Sequence, residues 1–311
     1  MTDEFNKKYE KLVIVDGNHL IHRAFHAIQA PLKTSSGEQT NALFGFASMT
    51  LNIIDLERPD YMVVAFDERA PTFRHEAHEG YKATRAKAPD ELYAQIPRIR
   101  EMLKRFKIPI FSKEGFEADD VMGTLAKQAE SQGIKTYLVT GDRDVLQLIT
   151  PLIFVVFPHK GYREPIRFDA QKVFEKYGIR PDQIVDYKAL MGDVSDNFKG
   201  VEGIGSKRAS DLLSKYQTLE GIYEHLWEIP ETIRVKLASG HDDALFSRSL
   251  AQIVTNVPCS FNKEEAAFFA FDFEGLSHFF KELEIHSLQR RLEKIVPREV
   301  LRPDKNQLSF F

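Results

Sequence analysis

Cysteine is almost missing, since Cys259 is the only one in 311 residues. No disulfide can close within the chain, and a reducing compartment is expected. No apolar run approaches the roughly 18 residues of a membrane span. The opening "MTDEFNKKYEK" is charged and lacks the apolar stretch of a secretory signal. No internal repeat or low-complexity tract stands out. An excess of basic charge is missing too: the net charge is −4, which does not advertise a polyanion-binding surface. A soluble, cytoplasmic, membrane-free protein is the expectation.

What is there is core-forming material. Hydrophobic residues make up 43% of the chain, and the length suits one large domain or two moderate ones. "KLVIVDG" (11–17), "PDYMVVAFDE" (59–68), "IKTYLVTGD" (134–142) and "PLIFVVFP" (151–158) are short apolar runs of the kind buried in parallel sheets. Helical patterns lie between them at 40–57, 90–106, 118–132 and 143–149. This alternation predicts an α/β fold with a mainly parallel central sheet flanked by helices. Beyond about residue 168 the strand signals fade. "DAQKVFEKYG", "PDQIVDYKALMG", "SKRASDLLSKYQ" and "HDDALFSRSLAQIV" read as helices punctuated by Gly or Pro. The expected division is an α/β unit over 1–170, an all-helical unit over 171–296 and a tail over 297–311.

The acids fall where a site would need them. Asp16 ends the strand "LVIV", Asp67 follows "YMVVAF", and Asp142 follows "TYLVTG" with Asp144 two residues on. In parallel sheets, ligands bind beyond the carboxyl ends of the strands. Glu117, Asp119 and Asp120 open the helix before the third of these strands, and Asp193 and Asp196 sit in "MGDVSDN". Each has an ordinary reading as a helix cap or a first-turn acid complementing the macrodipole. Nine carboxylates from five segments would repel one another if gathered, and bound cations make such a cluster tolerable. All-oxygen ligation points to Mg²⁺ or Mn²⁺ rather than Zn²⁺. Setting those nine acids aside turns the net charge from −4 to +5, a mildly basic remainder that suits a phosphate-bearing substrate.

"VDGNHLIHRAFH", "FRHEAHEGYKATR", "GFEADDVMGTLA", "TGDRDVLQL" and "MGDVSDNFKGVEGIGSKRASDLL" follow one another in the order seen in the 5′–3′ exonuclease and flap endonuclease family. The chain resembles that family over roughly residues 11–295, most closely the nuclease domain of bacterial DNA polymerase I. The resemblance implies a PIN-like, resolvase-like nuclease core with a helical arch over about 69–106, followed by a helix–three-turn–helix unit. It implies a structure-selective, metal-dependent 5′–3′ exonuclease and 5′-flap endonuclease acting in replication and repair. It gives metal roles, direct or through water, to Asp16, Asp67, Glu117, Asp119, Asp120, Asp142, Asp144, Asp193 and Asp196. Two ions about 4 Å apart would support in-line attack of water on a phosphodiester. All nine acids are intact, which argues against a catalytically silent DNA-binding scaffold. The arch and the glycine-rich hairpin argue against a related metal-dependent ribonuclease. No polymerase or proofreading sequence follows, so a free-standing, monomeric nuclease is expected, nucleoid-associated when on DNA. Branched or nicked duplex DNA with a 5′ end or flap is the expected partner, with RNA–DNA hybrid as an open alternative.

Residues 69–87, "RAPTFRHEAHEGYKATRAK", are basic with interspersed aromatics, and read otherwise as a solvated charged segment. By resemblance, Tyr81 stacks on a base, Lys82 and Arg85 act catalytically on the scissile phosphate, and Arg23 and Arg74 contact DNA. "GVEGIGSKRASDLL" reads as an ordinary interhelical turn or as a hairpin presenting N–H groups to phosphate. Lys199, Gly203, Gly205, Ser206, Lys207 and Arg208 are its candidate DNA contacts, and the 201–206 turn a candidate K⁺ site. "DNFKGVEGIGSKR" departs from the family's usual "DNIPGVPGIG" at Phe198, Lys199, Glu202 and Ser206. His19, His22 and His26 share one helix face but match no zinc motif. "QLSFF" resembles the bacterial sliding-clamp motif, with Gln307, Leu308, Phe310 and Phe311 as anchors.

Overall fold

The computed structural model describes residues 9–28, 32–268 and 271–295. The clamp-like residues Gln307, Leu308, Phe310 and Phe311 lie outside them. The four apolar runs of the sequence become β1 (Lys11–Asp16), β2 (Tyr61–Ala65), β4 (Lys135–Val139) and β5 (Ile153–Phe157). Two short strands add to them, β3 (Ile110–Phe111) and β6 (Ile166–Phe168). The sheet order is β3-β2-β1-β4-β5-β6. Pairing is parallel from β3 through β5, and β6 closes the edge antiparallel to β5.

β1 and β2 are almost wholly buried, which explains their unbroken apolar character. From β1 the chain winds outward through β2 to β3, then returns to the other side of β1 for β4 and β5. The winding reverses between β1 and β4, and this switch point opens a crevice at the carboxyl ends of the strands. Asp16 and Asp142 flank it.

Helices cover both faces. Gly17–Ala27, Asn41–Glu57 and Ile96–Arg105 share one core with Val13, Val15, Met62 and Val64. Ala118–Ser131 packs the opposite face against Leu12, Ile14 and Val63. The alternation of β1 side chains between the two cores follows from the period of two. Pattern 143–149 becomes a 3₁₀ turn, Asp144–Leu148.

Two expected boundaries shift. Ile96–Arg105 buries Ile99, Met102 and Leu103 in the core beneath Asn41–Glu57. Residues 96–105 of the expected arch 69–106 therefore belong to the core. The helices Phe273–Glu282 and His286–Ile295 place Leu276, Phe279, Phe280 and Leu288 in that same core. They return to the first unit rather than completing an independent helical unit over 171–296. Among the described residues no helix is long and apolar enough to cross a membrane.

The helical region is tied to the acids by a small hairpin. Ile184–Met191 ends at Gly192 (φ 77°), and the strands Gly192–Asp193 and Phe198–Lys199 pair antiparallel. A Cβ on Gly200 would lie 2.3 Å from the Gly192 nitrogen, so only glycine allows this close approach. The loop between these strands carries Asp193 and Asp196.

Candidate metal centre and nucleic-acid interface

Asp16 ends β1 and caps the next helix, accepting from the His19 N–H at 2.9 Å. Its other oxygen accepts from Thr140 Oγ1 at 2.7 Å. Asp67, two residues beyond β2, accepts from the Ala118 N–H at 2.7 Å. Asp142, beyond β4, accepts from the Asp144 N–H at 2.9 Å. These three acids and Asp119 line one cavity of about 370 Å³, with Lys82 and Arg85 on its rim. None of the four forms a salt bridge among the described residues.

Their electrostatics follow. Burial, then the charges of Asp67 and Asp142, push the Asp16 carboxyl up to about 7. Burial, then Asp142 and Asp16, push Asp119 well above the ordinary carboxylate range. Desolvation within the cleft raises Asp67 as well, although the residue keeps an exposed edge and the Lys82 and Arg85 charges pull the other way. A carboxyl held above its normal range by burial and like charge is one that a divalent cation would relieve. All-oxygen donors, uncompensated and facing one cavity, fit a hard divalent ion.

The second acid group is compensated. Asp144, Asp193 and Asp196 bring carboxylate oxygens within 4.8 Å of one another. Among the described residues no other His, Cys, Asp or Glu set is that tight, so the first group is the looser of the two. Lys188 Nζ donates to both Asp144 and Asp193, and Arg85 Nη2 donates to Asp196. Burial works upward on Asp193, yet the Lys188 ammonium and the Ser195 hydroxyl and N–H bring its carboxyl down to about 2. Here the Lys188 and Arg85 charges already offset the repulsion of the carboxylates, so the stronger demand for metal falls on the first group.

"EADD" divides its labour. Glu117 caps Ala118–Ser131 and accepts from Lys82 Nζ at 2.7 Å and Tyr81 Oη at 3.2 Å. Asp119 faces the first cavity. Asp120 turns the other way: it is fully buried and bidentate to Arg74, at 2.7 and 2.8 Å. It also accepts from the N–H groups of Glu117 and Val254, at 3.0 and 2.8 Å. With both oxygens doubly used, Asp120 is a structural acid and not a metal ligand.

Arg74 is corrected with it. It is 2% exposed, and its remaining donors go to the Leu250 and Gln252 carbonyls. It locks the helical region onto the α/β core and has no donor left to reach a DNA phosphate. Tyr81 is 4% exposed and bonds Glu117 and Asp196, so it has no free face for a base. The aromatic there braces the acids that a stacking role would have left open.

The remaining candidate contacts stand as follows. Lys82 holds a left-handed backbone (φ 55°), with its N–H on the Asp196 carbonyl at 3.0 Å. Despite the opposing effect of burial, Glu117 and Asp196 hold the Lys82 ammonium above its ordinary pKa. Lys199, Gly203, Gly205, Ser206, Lys207 and Arg208 are all exposed on one hairpin, ahead of and opening the helix Ser206–Tyr216. The Gly203 carbonyl accepts from Arg208 Nη1 at 2.7 Å. Arg23 is exposed on the helix Gly17–Ala27, beside the groove that also exposes His26.

Lys188 was missed by sequence reasoning. Its signal is its place in "DYKALMGD", one helical turn before the helix end and five residues before Asp193. Thr140 and Asn18, which position Asp16 and Asp67, gave no signal at all.

Comparison with known proteins agrees with this architecture. The 5′–3′ exonuclease N-terminal resolvase-like domain matches residues 11–178, and the 5′–3′ exonuclease C-terminal SAM fold matches 179–274. DNA polymerase I of Caldicellulosiruptor bescii is 43% identical over 284 residues, covering 91% of this chain and 33% of that protein. DNA polymerase I of Bacillus subtilis is 40% identical over 284 residues, covering 91% and 32%. The chain thus spans about a third of the length of the curated relatives it matches. A T5 5′-exonuclease structure with bound zinc ions superposes with TM-score 0.64 at 20% identity, covering 92% of this chain and 98% of that one. The catalytic core of Rad2 with a DNA substrate also gives 0.64, at 17% identity, with 93% of each chain covered. At those identities the two structures speak for the fold. With two family domains covering most of its length and relatives above 40% identity, the chain belongs to the 5′–3′ exonuclease family.

Proposed function

We propose that the protein is a divalent-metal-dependent 5′ nuclease that cuts DNA phosphodiesters at 5′ ends and 5′ flaps. The observation behind this is the uncompensated group of Asp16, Asp67, Asp119 and Asp142 at the sheet's switch point, rimmed by Lys82 and Arg85. The four carboxylates would hold the first ion, and Asp144, Asp193 and Asp196 a second, Mg²⁺ or Mn²⁺ in each case. Bound ions would lower the pKa of the attacking water and stabilise the leaving oxygen.

The chain's own groups supply positioning. Lys82 and Arg85 stand between the two acid groups, where each can exchange its carboxylate for a non-bridging phosphate oxygen. Asp16 and Asp67 are held by backbone N–H groups and Thr140, so their oxygens need no reorganisation. The exposed hairpin around Gly203–Arg208 offers N–H groups and cations to a duplex backbone without reading bases. A K⁺ ion on the 201–206 carbonyls belongs to the same reading, and would require Arg208 to release Gly203. The T5 and Rad2 structures carry, respectively, divalent ions and DNA, which supports this choice of cofactor and substrate.

The test is cleavage of a labelled 5′-flap duplex, a nicked duplex and an RNA–DNA hybrid, each with Mg²⁺ and with excess EDTA. Release of 5′-phosphate products from the DNA substrates only with metal is expected. Equal cleavage in EDTA would overturn the metal role, and cleavage of the RNA strand alone would favour a ribonuclease. Independently, the "QLSFF" motif supports docking on a sliding clamp, which would raise the local concentration of the nuclease on DNA. Deletion of 307–311 should abolish clamp binding and spare cleavage of free oligonucleotides. Unchanged clamp affinity would sink that proposal.

A further inference from the structure

We propose that Lys188 is the resident cation of the second acid group, holding the place between Asp144 and Asp193 that a second divalent ion would take. The ammonium must leave before that ion binds. This rests on the metal-dependent reading above.

Lys188 is buried, at 8% exposure, on the helix Ile184–Met191. A buried ammonium is costly unless it is paired. Here it is paired twice, with Asp144 from the turn after β4 and Asp193 from the hairpin after its own helix. It therefore sits on the coordination side of two carboxylates from different elements, where a bridging ion would sit. Surface lysines that pair with one acid of their own helix do nothing of the kind. The first acid group has no such cation among the described residues.

Lysine also suits displacement. Its charge is a compact point on a four-carbon stem with rotatable donors, whereas arginine's fork would fix it in place. The cavity beside it, about 730 Å³, is lined by Lys188, Tyr187, Met191, Ser195 and Ser206. It runs from the second acid group to the start of the DNA-facing hairpin helix. A displaced ammonium has both room and an anionic destination there, the backbone of a bound strand. Binding of the second ion is thereby coupled to binding of DNA. A protein without DNA holds the first ion firmly and the second weakly.

The experiment is Mn²⁺ titration of the full chain without DNA, with free Mn²⁺ read by electron paramagnetic resonance. Wild type should show one tight class and one weak class. Lys188→Met should tighten the weak class by about tenfold or more, since a competing charge is removed, and leave the tight class unchanged. That unchanged class reports that the neighbouring fold is intact. Lys188→Arg should weaken the weak class further, because the fork is harder to displace, and adding Asp193→Asn to Lys188→Met should erase the gain. If Lys188→Met does not fold, Lys188→Gln serves the same comparison. Identical isotherms for wild type and the neutral variant overturn the proposal. Absence of any tight class in either protein would instead overturn the metal-dependent reading.

Discussion

Asp16, Asp67, Asp119 and Asp142 meet without a fixed cation, whereas Asp144, Asp193 and Asp196 are drawn together around Lys188 and Arg85. Both groups are made of carboxylates, yet Asp16 of the first and Asp193 of the second shift in opposite directions. Asp16 rises to about 7 and Asp193 falls to about 2. Burial pushes both upward, and the sign is decided by whether the nearest charges are carboxylates or an ammonium. Closeness of acids is thus a poor guide to the demand for metal. The looser group needs an external cation, and the tighter one already has an internal one.

The sharpest way to break this contrast uses adjacent residues. Asp119→Asn removes an acid from the uncompensated group, and single-turnover flap cleavage should fall by about 10³-fold or more. Metal-free stability should hold or improve, because a carboxyl that desolvation and neighbouring acids disfavour is gone. Asp120→Asn should do the reverse, weakening the fold while metal affinity persists. Urea unfolding and cleavage rates on both variants decide it, and parallel losses in the two would refute the division of labour within "EADD".

Arg74→Ala comes next. It strands Asp120 as a buried unpaired carboxylate, for a loss of about 3–5 kcal/mol in unfolding free energy. A DNA-contact role would instead weaken duplex binding at unchanged stability, and denaturant titration separates the two.

The pH response should have opposite slopes for Asp16 and Asp193. Asp16 keeps its proton in the folded state up to about pH 7 but gives it up near pH 4 when unfolded. The unfolded state then binds fewer protons across that window, so metal-free stability falls as pH rises from about 4 to 7, by of order 3 kcal/mol. Asp16→Asn should flatten that slope. Asp193 contributes stability above its unfolded pKa, and loses it as pH falls toward about 2. Thermal unfolding in chelator, with and without Asp16→Asn, measures the first window. A wild-type midpoint that rises between pH 4 and 7 would contradict the uncompensated cluster.

The sheet and the acids were legible for one reason: both are written in local pattern. Unbroken apolar runs announce strands buried on both faces, and an Asp after three of the four announces the strand end. What stayed hidden depends on direction rather than identity. Asp119 and Asp120 are chemically equal in sequence, and only the helix turn between them sends one to the cavity and one to Arg74. Arg74 and Lys82 are both cations of one basic stretch, and tertiary packing buries the first and leaves the second at the rim. Tyr81 followed the same course, since nothing local says whether a ring will meet a base or a carboxylate. The last two helices were misplaced because an amphipathic pattern states that a face is buried, not against which unit.

Lys82→Ala tests the rim between the two groups. A transition-state role predicts about a 10²-fold slower single-turnover rate with duplex affinity little changed. Equal losses in rate and affinity would make Lys82 a binding residue only.

The smallest effect belongs to the region outside both acid groups. Lys207 and Arg208 are exposed on the hairpin, and neither forms a salt bridge among the described residues. Their charges are therefore available to phosphate, unlike Lys188's, which is spent on acids. The double substitution Lys207→Ala, Arg208→Ala should weaken duplex binding by about tenfold at moderate salt and lower the slope of log affinity against log salt by about 2. Single-turnover cleavage at saturating enzyme should be unchanged, because neither residue lines the cavity of Asp16, Asp67, Asp119 and Asp142. A slope that stays at the wild-type value would mean the duplex is gripped elsewhere, and a fall in the saturated rate would mean that the hairpin positions the scissile strand as well as binding it.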